Sequence, residues 1–215
     1  MEDNYKQRGL RKRLVSILQD KGIENQRLLK AIGSVPRHQF FSPEFLIHAY
    51  QDKAFPIGEG QTISQPYTVA IQTQLLEIKP GDKILEIGTG SGYQCCILLE
   101  MGAEVYTIEY NKKLYEKARK QLNHMGYSTN FFCGDGSLGL KKWAPYDGII
   151  VTAGAPTVPK ALIEQLKVGG KLVIPVGNSK TQKMLRITKT EENKLIKEEF
   201  ANFSFVPLVG KEGWG

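Results

Sequence analysis

Two rhythms of apolar residues divide the chain. Between residues 10 and 50, Leu14, Ile17 and Leu18, and then Leu28, Leu29 and Ile32, recur at the three- and four-residue spacing of an amphipathic helix, with breaks at Gly22 and Pro36. This predicts a helical N-terminal extension. Residues 54–67 are rich in Gly, Pro, Ser and Thr and read as a loop leading into a helix over 68–78, which ends at Lys79-Pro80-Gly81. From Asp82 onward, short β-branched runs alternate with helical windows. Strands are predicted at 83–87, 104–108, 129–133, 148–152 and 171–176 with helices between them, the signature of βαβ units and a largely parallel sheet. Residues 184–189, 194–200 and 202–207 read as further strands joined by tight turns, the first carrying Glu191-Glu192-Asn193, so an antiparallel edge is expected. The expected fold class is α/β, divided into an extension over 1–67 and a sheet-bearing core over 68–215.

At 215 residues the chain suits one large domain or one domain with an appendage, and 41% hydrophobic with 24% charged residues excludes a disordered or fibrous chain. No window approaches the roughly 18 uncharged apolar residues of a spanning helix, and the first residues lack the basic-then-apolar layout of a signal peptide. A soluble cytoplasmic protein is expected, without membrane contact. Cys95 and Cys96 are adjacent and Cys133 leaves the total odd, which is no disulfide framework; all three read as core fillers. His38, His48 and His124 stand at no zinc-ligand spacing, so no metal is expected. The formal net charge of +7 is mild, and Lys6, Arg8, Arg11, Lys12 and Arg13 read as a solvated helix face. A nucleic-acid partner would call for a denser basic stripe with interleaved aromatics.

The densest chemistry lies at Glu86-Ile87-Gly88-Thr89-Gly90-Ser91-Gly92-Tyr93, where a buried strand runs into a glycine-rich turn and then a helix through Cys95, Leu98 and Leu99. Glycines there admit positive φ and close backbone approach, and the helix N-terminus offers free N–H groups and the positive end of a dipole. A polar small molecule can lie on such a backbone, although a purely structural turn has the same pattern. Glu109 adds weight, about 20 residues further on at the end of the next predicted strand, where a carboxylate can accept hydrogen bonds from ribose hydroxyls. A dinucleotide site calls for Gly-x-Gly-x-x-Gly, yet the third glycine is Gly92 and Tyr93 holds the expected place, so the spacing disfavours NAD.

Gly-x-Gly-x-Gly behind Glu86, with Gly134-Asp135-Gly136 after the third predicted strand, resembles the class I methyltransferases that use S-adenosylmethionine. That resemblance implies a Rossmann-like sheet over 68–215, mostly parallel with an antiparallel edge and with helices on both faces. It implies S-adenosylmethionine as cofactor, with Glu86 beside the methionine end, Gly88, Thr89, Gly90 and Gly92 wrapped around it, Glu109 at the ribose, and Asp135 and Gly136 flanking the adenine. On residue physics alone, Asp135 is equally a turn former and Glu86 a helix cap.

The methyl acceptor has to be read outside that half. After the fourth predicted strand the chain runs Thr152-Ala153-Gly154-Ala155-Pro156, without the Asn/Asp-Pro-Pro-aromatic motif of nucleic-acid amino-methyltransferases and without a cysteine following a proline for base methylation. Gly58-Glu59-Gly60-Gln61-Thr62-Ile63-Ser64-Gln65-Pro66-Tyr67 closely resembles the signature of the protein-L-isoaspartate(D-aspartate) O-methyltransferase family. Val35-Pro36-Arg37-His38-Gln39-Phe40, the stretch from Leu166 through Gly169-Gly170-Lys171 to Gly177, and Phe205-Val206-Pro207-Leu208-Val209-Gly210 resemble it too. The likeness runs from about residue 14 to residue 210. It implies methylation of the free α-carboxylate of L-isoaspartyl residues in damaged or unfolded proteins and peptides, which starts repair through a succinimide to normal aspartate. It also implies that Ser64 orients the acceptor and that Ile63, Gln65 and Pro66, with Val206, Pro207 and Leu208, line a peptide groove. A monomer is expected. Two departures, Cys95-Cys96 after Gln94 and Tyr110 after Glu109, are expected to leave the chemistry untouched.

The chemistry can be argued without the family. A carboxylate with a reference pKa near 4 is already ionised at neutral pH, so its methylation needs no general base. It needs the oxygen held in line with the methyl carbon and water kept away. A serine hydroxyl donating one hydrogen bond suits that task. Ser64 as a nucleophile finds no Gly-x-Ser-x-Gly elbow and no histidine at evident spacing, while Ser64 as a helix N-cap before Pro66 stays open. Two other functions also stay open: a methyltransferase for another carboxylate or small-molecule acceptor, and a catalytically silent binding domain. The intact set of Glu86, Gly88, Gly90, Glu109 and Asp135 argues against the second.

Overall fold

The computed structural model describes residues 3–191 and 194–214; Glu192 and Asn193 of the expected turn lie outside them. The helical extension forms as its periodicity predicts. Helix α1 (Tyr5–Asp20) is capped by Asn4, whose side chain accepts the Gln7 N–H, and α2 (Gln26–Ser34) by Asn25, which accepts the Leu28 N–H. Leu14, Leu18, Leu28, Leu29 and Ile32 are buried. Two short 3-10 stretches, Arg37–Phe40 and Pro43–His48, follow. Where composition predicts only a loop, a small hairpin forms, β1 (Phe55–Gly58) with β2 (Gln61–Ile63), ahead of α3 (Pro66–Leu76).

Side-chain alternation builds the main sheet. In β3 (Lys83–Ile87), Ile84 packs into one core cluster and Leu85 and Ile87 into the other, so the strand is covered on both faces. Strands β4 (Glu104–Glu109), β5 (Asn130–Cys133), β6 (Tyr146–Val151) and β7 (Leu166–Gly177) run parallel with it, and β8 (Gln182–Lys189) and β9 (Leu195–Phe203) add the antiparallel edge. The order is β5-β4-β3-β6-β7-β8-β9. Helices α4 (Tyr93–Glu100) and α5 (Lys112–His124) join the N-terminal helices on the Ile84 face, while α6 (Lys160–Glu164) brings Leu162 to the other. The chain leaves β3 outward to β4 and β5 and returns on the other side at β6. The C-terminal ends of β3 and β6 therefore bracket the crevice where open α/β sheets bind ligands.

Three further expectations need correction. Arg11, read into a solvated helix face, is buried, and its guanidinium donates to Gly33 O, Tyr50 Oη and both Asp3 carboxylate oxygens. The strands read at 194–200 and 202–207 are one strand, β9, which ends at Phe203. Lys183 pairs with Asn202 and Leu185 with Glu199, so Phe200 and Ala201 oppose Met184 alone; the apparent break is a bulge inside a continuous strand. Cys95 and Cys96 are buried, but Cys133, at the end of the sheet's edge strand β5, is exposed and fills no core. Among the described residues no helix is long and apolar enough to cross a membrane, and no cluster of His, Cys, Asp or Glu is arranged to hold a metal ion.

Candidate functional site

The glycine turn after β3 carries positive φ at Gly88, Gly90 and Gly92. Gly88 and Gly90 line a cavity of about 300 Å³ together with Thr89, whereas Gly92 lies outside its lining. A Cβ at Gly88 would sit 2.6 Å from Thr152 Oγ1, and one at Gly92 would collide with Leu122 of α5. The first glycine thus permits a close approach to the end of β6, and the third packs a helix. Inside the turn, the Gly88 N–H donates to Ile108 O and the Gly92 N–H to Thr89 O. The Gly90 N–H donates to Glu109 Oε2 at 2.8 Å.

Three acids were expected at this site, and they take three different positions. Glu109, at the C-terminal end of β4, is on the cavity wall, with Oε1 accepting the Asn111 N–H at 2.9 Å. Both oxygens keep a lone pair for a ligand. Glu86 lies behind the glycine turn instead, fully buried on the Ile84 face. Its Oε2 accepts from Thr107 Oγ1 at 2.6 Å, and its Oε1 has no partner among the described residues. Burial pushes its pKa up to about 8, with the Thr107 bond opposing, so it is mostly protonated at neutral pH. Asp135 is committed elsewhere: Oδ1 takes the Ser137 N–H and hydroxyl, and Oδ2 takes the Lys211 N–H at 2.8 Å. Burial alone would raise its pKa, but these N–H bonds hold it below the usual carboxylate value. It caps a 3-10 turn and ties down the C-terminal segment, while its neighbour Gly136 does line the cavity.

Ser64 and Ile63 line the same cavity as the glycine turn. The N-cap of α3 is Gln65, without a side-chain capping bond, and Pro66 opens the helix, so the helix-cap reading of Ser64 fails. No described residue bonds its hydroxyl; its carbonyl accepts from Arg37 Nη2 at 2.8 Å. Asp52 anchors the loop behind it, accepting from Gln65 Nε2, the Tyr67 N–H and Lys21 Nζ. Val206, Pro207 and Leu208 close the far side, held to Gly154 by two backbone hydrogen bonds of 2.8 Å. A second, open cavity of about 550 Å³ adjoins the first, bounded by Gln65, Tyr67, Asn202, Ser204 and Phe205. Thr62, Ser64, Thr152 and Val206 belong to both linings. Pro66 belongs to neither.

Sequence reading missed Thr152, the last residue of the fourth predicted strand, although the switch-point rule singles out that strand end. It also set aside both departures. Tyr110 lines the cavity beside Glu109 with its residue 55% exposed, and the Cys95 thiol lies against Glu86.

A family model described as protein-L-isoaspartate(D-aspartate) O-methyltransferase matches residues 9–213. The chain is 64% identical over 214 residues to the protein-L-isoaspartate O-methyltransferase of Cytophaga hutchinsonii, covering 100% of this chain and 97% of that one. It is 55% identical to that of Flavobacterium psychrophilum, covering 97% and 98%. Among solved structures, a protein-L-isoaspartate O-methyltransferase superposes with a TM-score of 0.84 at 29% identity, over 94% of this chain and 66% of that one. A second, from Plasmodium falciparum and in complex with S-adenosyl-L-homocysteine, gives 0.79 at 25% identity, over 93% and 98%.

Proposed function

The chain belongs to the protein-L-isoaspartate(D-aspartate) O-methyltransferase family, and from that premise we propose which of its residues carry the reaction. It transfers a methyl group from S-adenosylmethionine to the free α-carboxylate of L-isoaspartyl residues in damaged proteins and peptides. The next backbone nitrogen then attacks the ester, methanol leaves, and the succinimide hydrolyses partly to normal aspartate.

The residues fit the cofactor. Gly88 and Gly90 bring bare backbone to the cavity, and Glu109 on its wall offers the remaining lone pairs of both oxygens to a ribose diol. Bound there, S-adenosylmethionine supplies a methyl group on a sulfonium, open to in-line displacement. Gly88, Thr89, Gly90 and Gly136 would surround it, with Glu109 at the ribose. Gly92 acts through the packing of α4, Glu86 from beneath the turn, and Asp135 by holding the segment that closes the cavity.

The observation that carries the acceptor half is the place of Ser64, a residue that lines both cavities and whose hydroxyl no described residue bonds. It donates to one oxygen of the acceptor carboxylate and turns the other toward the methyl donor. Ile63 and Val206 to Leu208 exclude water around the reacting atoms, and Gln65 borders the open cavity through which an extended peptide reaches them. Pro66 sets the start of α3. Three free cysteines, Cys95 and Cys96 buried and Cys133 exposed, support the reducing cytoplasm.

The test uses radiolabelled S-adenosylmethionine with an isoaspartyl peptide, its aspartyl isomer and small carboxylic acids. Base-labile methyl ester and methanol are expected from the isoaspartyl peptide alone. Methylation of small acids with the peptide untouched would replace this reading by the small-molecule alternative.

A further inference from the structure

Arg37 heads the largest fully buried side chains of the protein, with no exposed surface, yet it meets no carboxylate at ion-pair distance among the described residues. Its Nε donates to Ala49 O at 3.0 Å and its Nη2 to Ser64 O at 2.8 Å. The guanidinium carbon lies 4.5 Å from the centre of the Tyr93 ring and 5.4 Å from that of Phe41. Nη1 has no acceptor among the described residues. Burial pulls the pKa of Arg37 below the ordinary arginine value, which shows the cost of keeping a cation there.

An apolar side chain would fill the same volume without that cost. What an apolar side chain lacks is a planar fork that grips carbonyls from separate segments while lying on a ring. The groups Arg37 holds are informative. Ser64 belongs to the loop assigned to the acceptor, and Tyr93, the first residue of α4, lines the donor end of the same cavity directly after the glycine turn. Arg37 therefore touches both walls between which the methyl group has to travel, while itself lying outside the cavity lining.

We propose that Arg37 is a positioning residue, a bracket that fixes the Ser64 loop against the α4 N-terminus and so sets the line of approach from acceptor carboxylate to methyl donor. This rests on the assignment of Ser64 to the acceptor. Displacement chemistry is sensitive to that line, since a misplacement of about 1 Å can cost about 100-fold in rate. A merely structural arginine would affect folding and every ligand alike. A bracket acts through Ser64.

The experiment is a double-mutant cycle. Arg37→Lys, which keeps the charge but loses the fork, and Arg37→Met, which keeps only the bulk, are each made with native Ser64 and with Ser64→Ala. kcat and KM for an isoaspartyl peptide, affinity for S-adenosylhomocysteine and the melting temperature are read on all of them. With Ser64 present, kcat/KM is expected to fall by up to about 100-fold, carried by kcat, while S-adenosylhomocysteine affinity stays nearly unchanged. In the Ser64→Ala background the same substitutions should cost little, because the hydroxyl they misplace is already gone. Equal losses in both backgrounds, or loss of S-adenosylhomocysteine affinity in step with activity, overturn the proposal. So does failure of both Arg37 variants to fold, which would make Arg37 a core residue of the fold. If Ser64→Ala alone leaves kcat/KM intact, the underlying reading of Ser64 fails, and that outcome is seen separately from the Arg37 result.

Discussion

Glu109→Gln isolates the cofactor half of the site. The residue is only 7% exposed, and each carboxylate oxygen already accepts one backbone N–H, from Gly90 at 2.8 Å and from Asn111 at 2.9 Å. A glutamine of the same shape replaces one oxygen by an NH2 group, which then meets one of those N–H donors head on. Whichever way the amide turns, one loop bond is lost, and so is one acceptor for a ribose hydroxyl. A hydrogen bond to a charged group is worth about 1.5 to 3 kcal/mol, so the ligand-side loss raises the Kd for S-adenosylhomocysteine roughly 10- to 150-fold. The loop-side loss lowers the stability of the free protein by a similar about 1.5 to 3 kcal/mol. Isothermal titration calorimetry reads the first and thermal unfolding without ligand reads the second. A variant that melts earlier but binds S-adenosylhomocysteine as tightly as the parent would show that Glu109 merely pins the glycine turn, and the ribose assignment would be wrong.

Ser64→Ala should leave S-adenosylhomocysteine affinity nearly intact while kcat/KM for an isoaspartyl peptide falls roughly 10- to 150-fold; an unchanged kcat/KM in the folded variant removes Ser64 from the mechanism. Gly88→Ala places a methyl group 2.6 Å from Thr152 Oγ1 at a φ of +93° and is expected to destabilise the fold by more than about 1 kcal/mol and to weaken cofactor binding, both visible as a lower melting temperature with a smaller shift on adding S-adenosylhomocysteine. Glu86 is raised in the folded protein to about 8 by burial, so the folded state holds a proton that the unfolded chain releases near 4.5. Its contribution is complete below about pH 4.5 and is lost as the pH rises toward 8. Melting temperatures of Glu86→Gln should decline less over that window than those of the parent, and parallel declines would show that Glu86 does not titrate there.

The parts of the fold legible in sequence were those set by short-range pattern. Residues 83–87 form the strand predicted for them, because both faces are buried and the run is apolar apart from Glu86 and the opening lysine. The bulge opposite Met184 hid the continuity of β9, since an extra residue shifts the alternation on which strand reading depends. The hairpin before Ser64 was read as a loop because its strands are only four and three residues long and its turn rests on Gly58, Glu59 and Gly60, all at positive φ. Asp135 shows the limit most clearly. Its Gly-Asp-Gly setting was visible, but its partner, the Lys211 N–H, arrives 76 residues later in the chain, and only the folded structure brings them together.

The charge distribution around Ser64 connects the fold to the chemistry. Neither cavity has a lysine, arginine or histidine in its lining among the described residues, although the protein is basic overall. For an enzyme acting on a carboxylate this is at first unexpected, because an arginine fork is the strongest ordinary partner for that group. The acceptor oxygen, however, loses negative charge as its bond to the methyl carbon forms. A cation would hold the starting carboxylate more tightly than the transition state, and interactions stronger in the ground state slow the chemical step. A neutral hydroxyl orients the carboxylate and gives up less as the charge fades. Arg37 is near enough to have supplied a cation, but its donors are turned onto the carbonyls of Ser64 and Ala49, so its rigidity reaches the site while its charge does not enter the lining.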